Sequence, residues 1–160
     1  MNRLILSVLL VALFLVPARA VPVINVGPWF ITAESLPAGP QISVGQAGPV
    51  LGMMAQCYTQ TASIAVWGTQ RQLRLSLGRQ VQMRVLVDNA VMFELTGIAV
   101  VANRVEFVVD SDVTLERMRH GQGMVLFLTD ADGQVQTQGF TLNGAAAALR
   151  QLAGAGCVVS

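Results

Sequence analysis

The sequence predicts a mainly β domain, an antiparallel β-sandwich or a partly open barrel, and three observations carry that prediction. Apolar and polar residues alternate with period two over much of the chain, and turn-forming residues punctuate it roughly every 8–12 residues. Helical spacing is confined to two short stretches, one near 112–119 and one near 144–153.

The alternation is clearest from residue 73 onward. Leu73, Leu75 and Leu77 alternate with Arg74 and Ser76, which predicts a half-buried strand ended by Gly78-Arg79. Val81, Met83, Val85 and Val87 repeat the pattern, Asp88-Asn89 signals a turn, and Val91, Phe93 and Leu95 alternate again. Residues 98–102 and 105–109 are expected as two further strands linked near Asn103. Residues 124–128 are apolar at both parities, as in a central strand buried on both faces, and Asp130-Ala131-Asp132-Gly133 predicts a hairpin turn. Beyond it the apolar parity changes to Phe140 and Leu142, which predicts a bulge at Gly139.

Earlier in the chain, Trp29-Phe30-Ile31 predicts a short strand with a buried tryptophan, and residues 51–59 and 63–67 predict two more strands. Residues 34–49 are rich in Gly and Pro and are expected as an irregular surface loop with a short extended piece at 42–44.

Both helices have recognisable ends. Ser111 or Asp112 can cap the first, Leu115 and Met118 share a face, and Gly121 follows as its stop. In the second, Asn143 is the expected N-cap, Ala145, Ala148, Leu149 and Leu152 form one apolar face, and Gly154 is the expected C-terminal stop. A helix this short is not stable alone in water and must be held by packing.

Residues 1–20 have the anatomy of a secretory signal peptide. Arg3 supplies positive charge, 4–16 are apolar, and Ala18-Arg19-Ala20 is a small-residue cleavage signature. The apolar run is short of the roughly 20 residues that a helix needs to span a bilayer. The expected mature form, 21–160, is one domain that does not span a membrane, in the periplasm or secreted. Without Arg3 and Arg19, eight of the ten cationic residues remain against nine acidic ones, and there is no lysine. That balance excludes nucleic acid as an expected partner. Two cysteines in an exported chain, Cys57 and Cys157, imply one disulfide. Chain-entropy arguments put the stabilisation from closing so long a loop at about 4.7 kcal/mol. With no C-x-x-C spacing and only two thiols, the pair is structural and not a redox or zinc site.

Taken together, several features resemble small one-disulfide exported β-rich proteins of proteobacteria, of the invasion-associated locus B type. They are Trp29, Cys57, the alternation at 73–77, Leu115 and Met118 before Gly121, residues 124–128 with Asp132-Gly133, and the ending from Phe140-Thr141-Leu142-Asn143-Gly144 through Ala148, Leu149 and Leu152 to Cys157. The resemblance implies a periplasmic β-sandwich without catalytic residues, in envelope or host-interaction roles.

Candidate chemistry is sparse. His120 is the only histidine, and nothing in the sequence supplies it with a nucleophile or an orienting carboxylate. Asp130-x-Asp132-Gly133 opens like a calcium loop, but positions 5 and 12 fall on Gln134 and Thr141, so a turn is expected and no metal. Asp110-Ser111-Asp112 reads as a helix cap. Glu94 and Glu106 lie on polar parities, with Arg84 and Arg104 as candidate cross-strand partners.

The expected function is that of a non-catalytic accessory or interaction protein that binds another protein or an envelope component, without a cofactor. An inhibitor or a small apolar ligand carrier using the barrel mouth is the alternative. Residues 36–54 combine turn formers with uncharged apolar side chains, so Leu36, Ile42, Val44, Met53 and Met54 are the expected partner-binding residues. The competing reading makes the same stretch a cover for an edge strand.

Overall fold

The computed structural model describes residues 21–69, 73–109, 111–130 and 132–157, with the backbone alone at 91, 92, 111 and 112. The expected signal peptide and Asp110 lie outside the described residues.

Ten strands form one antiparallel sheet. In chain order they are β1 (Val23–Val26), β2 (Trp29–Leu36), β3 (Gly39–Ala47), β4 (Leu51–Tyr58), β5 (Thr61–Gly68), β6 (Gln80–Val87), β7 (Val91–Val101), β8 (Arg104–Val108), β9 (Gly123–Thr129) and β10 (Val135–Thr141). Among the described residues two helices accompany them: α1 (Ser111–His120) between β8 and β9, and α2 (Ala145–Leu149), which runs into a 3-10 helix (Arg150–Ala155). The spatial order is β1-β2-β3-β4-β5-β8-β7-β6-β9-β10, so the first five strands form a meander, β6–β8 follow in reverse order with β8 beside β5, and β9 and β10 continue beyond β6. β1 and β10 do not pair, and the sheet stays open instead of closing into a barrel.

Period two decides which side chains point inward. Met53, Ala55 and Cys57 on β4, Ile64 and Val66 on β5, Val81, Met83, Val85 and Val87 on β6, and Met124, Leu126 and Leu128 on β9 join one buried cluster. Because all these strands feed one core, the sheet must curl around it. The helices fill the concave side: Leu115 and Met118 from α1, Ala145, Ala148 and Leu149 from α2, and Leu152 from the 3-10 helix are fully or almost fully buried. α1 rests on α2, and the 3-10 helix lies across β3 and β4. The Cys57–Cys157 disulfide is present, with Cα atoms 5.9 Å apart, and it ties the end of the chain to β4.

The structure revises several sequence expectations. Residues 34–49 are not an irregular loop: Glu34–Leu36 finish β2, and Gly39–Ala47 form a full strand paired with both β2 and β4. Pro37 and Gly48-Pro49 serve the turns at either end of β3, whereas Gly39, Pro40 and Gly45 lie within the strand. Val44 and Met53, expected in an exposed partner-binding stretch, are fully buried core residues. Ile42 packs partly buried against the core, where its Cδ1 would lie 2.9 Å from a Cβ at Gly154. Leu36 and Met54 are half-buried.

Residues 73–77 run beside the sheet without joining it. Leu73 and Leu75 are buried, but Leu77 is 73% exposed, because the chain turns at Gly78 (φ 75) before β6 begins. The two strands expected at 91–95 and 98–102 are one long strand, β7, with an irregularity between Ala99 and Val101. β9 buries one face, not both: Met124, Leu126 and Leu128 point into the core, while Val125 and Phe127 are half-buried.

There is no bulge at Gly139, since β10 pairs with β9 in unbroken register from Val135 to Thr141. Gln136 and Gln138 therefore share the parity of Phe140. Gln138 has a reason to turn inward: its Oε1 accepts from the Val50 N–H at 3.0 Å, where β10 passes the β3–β4 turn. Nor does Asn143 cap α2. Gly144 occupies the N-cap position with φ 82, and Gly156 (φ 87), not Gly154, ends the helical segment. The Asn143 carbonyl instead accepts from the buried Trp29 indole N–H at 3.0 Å, which pins the start of α2 to β2.

Two stability outcomes follow. Cys157→Ser is expected to lower unfolding free energy by about 2–5 kcal/mol in chemical denaturation, because it releases a long loop in the unfolded chain. Met53→Ala is expected to cost about 2–5 kcal/mol by the same measurement, as a large-to-small change in a filled core. A change within about 0.5 kcal/mol, normal for a surface position, would contradict its placement.

Candidate functional site

The outward faces of β2, β3, β4, β5 and β8 form a built surface. Their register aligns side chains in rows: Thr32, Ser43, Gln56, Ser63 and Val108 in one, and Phe30, Gly45, Met54, Ala65 and Glu106 in the next. Tyr58 stands in line with Gln41 and Thr61, whereas Trp67 stands in line with Gly52 and Arg104. Most of these side chains, though not Trp67 or Ala65, line an open trough of about 750 Å³.

Two glycines shape one end of this surface. A Cβ at Gly45 would lie 2.7 Å from the Phe30 ring, and a Cβ at Gly52 would fall on the Trp67 indole. The missing side chains let both rings lie down on the sheet, where their centroids are 6.2 Å apart with planes tilted by 57°.

A polar chain crosses the surface beside them. Arg104 Nη2 donates to Glu106 Oε1 at 2.7 Å and to Gln56 Oε1 at 2.9 Å, and Gln56 Nε2 donates to Ser43 Oγ at 3.2 Å. Arg104 lies on β8 and Gln56 on β4, so the guanidinium reaches over β5. Ala65 makes room for it there. Although Ala65 faces outward, it is fully buried and outside the core cluster, covered by longer outer-face neighbours. Arg104 Nε is buried without a hydrogen-bond partner, which leaves one donor of the network unsatisfied.

Exposed apolar side chains border this region. Val108 is 75% exposed on β8, and Ile98 and Val101 on the adjoining β7 are about half exposed. These exposed apolar side chains lie over β7–β8, others stand at Val23 and Ile24 on β1, at Leu77, at Val113 and at Val135, and no large one falls within residues 36–54. Of the five expected partner-binding residues, only Met54 lines the trough. Arg84 and Glu94 do pair across strands, Nε to Oε1 at 2.8 Å, whereas Glu106 pairs along its own strand with Arg104.

Other candidates are spoken for. His120 is exposed at the end of α1. The Asp130 carboxylate accepts from the N–H groups of Asp132 and Gln134, which makes it a turn residue. Asp88 lines a second open cleft and accepts there from the Gln122 and Gly123 N–H groups, each at 2.8 Å. Among the described residues, no group of three or more His, Cys, Asp or Glu could hold a metal ion, and no helix is long and apolar enough to cross a membrane.

Signals for this surface existed in the sequence only as isolated residues. Gly45 read as loop punctuation and Gly52 as an ordinary strand position, and no spacing rule brings Arg104 to Gln56 across the strand between them. Gly52→Ala is expected to lift Trp67 from the sheet and to destabilise the protein by about 1–3 kcal/mol. Denaturation and near-ultraviolet circular dichroism check this, with an unchanged tryptophan signal counting against the packing described.

No family model matches the chain, and no curated protein matches it. Its fold is similar to that of invasion associated protein B from Bartonella henselae, a crystal structure, with a TM-score of 0.57 and 17% identity over 83% of this chain and 96% of that one. At that identity the likeness is one of fold, to a protein of the type that the sequence resembles, and that fold is a single open sheet instead of the two-sheet sandwich that the resemblance implied.

Proposed function

We propose that this protein is an exported, non-catalytic binding protein whose outer sheet face, across β2–β5 and β8, receives another protein or an envelope component. The observation that carries this reading is the trough with its Arg104–Gln56–Ser43 network, bordered at one end where its lining residue Phe30 meets Trp67. Outward residues of a sheet need only be soluble. Here they form a second packed layer, with buried Ser43 and Gln56 fixed by hydrogen bonds. Polar groups placed in a concave surface beside apolar ones are what orient a ligand. A disulfide between a β-strand and the chain end, together with the fold likeness, supports export. A carrier for apolar molecules would need an open barrel interior, but the inner side of this sheet is filled by α1, α2 and the 3-10 helix.

The test is site-specific photocrosslinking in intact cells. A crosslinker at Thr32, on the outer face, is expected to give a defined adduct, whereas one at exposed Val113 on α1 gives none. The adduct should disappear when Arg104 and Glu106 are both replaced by alanine in a protein whose Tm is unchanged. An adduct that persists in that variant, or adducts at Val113 alone, would place binding elsewhere.

A further inference from the structure

Resting on that reading of the outer face, we propose that the occupant of the trough is an uncharged, hydroxyl-rich oligosaccharide. Charge comes first. Arg104 and Glu106 neutralise each other at 2.7 Å, and Glu34 at the rim is the remaining charged residue lining the trough. A nucleic acid or a strongly acidic or basic peptide would find no complementary field there.

The layout of polarity comes next. The middle of the trough is polar, with Thr32, Ser43, Gln56 and Ser63 side by side in one row, and its apolar members stand at the edges: Val108 where that row ends on β8, Phe30 and Met54 toward one end, Tyr58 at the other. A protein interface has the opposite anatomy, an apolar centre with a polar rim. Backbone groups within the paired strands are already committed to the ladder, so a peptide cannot add to this face as a strand and must be read by side chains alone. Short hydroxyls and amides suit a ligand that carries many donors and acceptors at once. Aromatic faces at the ends suit the C–H faces of sugar rings.

Size and an unsatisfied donor agree with this. Met54 and Tyr58 are four residues apart on β4, about 13 Å of strand, room for a short run of sugar rings. A volume of about 750 Å³ lies within the usual range for small-ligand sites. The buried Arg104 Nε has no partner, so a modest turn of the guanidinium toward a ligand hydroxyl would satisfy it.

The experiment is calorimetric and NMR titration of the oxidised mature protein with cellotetraose, chitotetraose and maltotetraose. At least one is expected to bind in the micromolar to millimolar range, with shifts at Tyr58, Gln56 and Thr32. Tyr58→Ala and Thr32→Ala should each weaken binding about tenfold, equivalent to about 1.4 kcal/mol, with Tm unchanged. Gln56→Ala is read alongside its own melting curve, because Gln56 is buried. No binding of any of the three at millimolar concentration, or binding that survives both surface variants, overturns the inference. If no sugar binds and the Thr32 crosslink still captures a protein that Tyr58→Ala loses, the outer-face reading stands and the oligosaccharide does not. If both signals are absent, both readings fall.

Discussion

Everything in this structure depends on covering the inner face of the sheet. Ten curled strands present valine, leucine, isoleucine and methionine side chains to a single concavity, and no second sheet covers them. The C-terminal helical segment supplies the cover, although it is too short to be stable by itself. It is held at three places: Trp29 donates to the Asn143 carbonyl, Ala145, Ala148, Leu149 and Leu152 are buried, and Cys157 is bonded to Cys57 on β4. The disulfide matters here because it joins the cover to the surface that is covered. It lets a helix with little intrinsic stability act as a permanent part of the core.

The same curl brings the two ends of the sheet toward each other without closing it. β10 passes the turn between β3 and β4, and glutamines do there what a ladder would do in a barrel. Gln138 accepts from the Val50 N–H, and Gln46 donates to the Thr141 carbonyl. Gly48 is part of this contact, since a Cβ there would collide with the Gln138 side chain. A seam made of side chains tolerates an inexact meeting of strands, which a closing backbone ladder does not.

Covering the inner face with helices has a consequence outside. The outer face of β2–β5 and β8 is free of helices and can carry its own layer, and that layer is more than solvated polarity. Phe30 and Trp67 lie over glycines, Ala65 is buried beneath its neighbours, and Arg104 spans β5 to reach Gln56. Such order on a surface requires strands in fixed register below it, and register is set by the buried inner face. Core and candidate site are therefore two sides of the same pairing.

Sequence alone was sufficient for the features that depend on local chemistry. Period-two alternation at Val81–Val87, the turn at Asp88-Asn89, the Leu115–Met118 face of α1, the apolar face of α2 and the pairing of two cysteines are each written in neighbouring residues or in simple counting. Tertiary structure decided the rest. Gly and Pro at 37–49 read as a loop because propensity is a weak prior for a strand hydrogen-bonded on both sides, as β3 is. Gly139 read as a bulge because only the approach of β10 to Val50 gives an inward Gln138 its partner. Val44 and Met53 read as a free apolar patch, and the fold assigned them to the core. The outer-face site joins residues from 30 to 108, placed side by side by long-range strand pairing. Pairing partners far apart in the chain leave no periodic trace in it, so that site became visible only when the sheet was assembled.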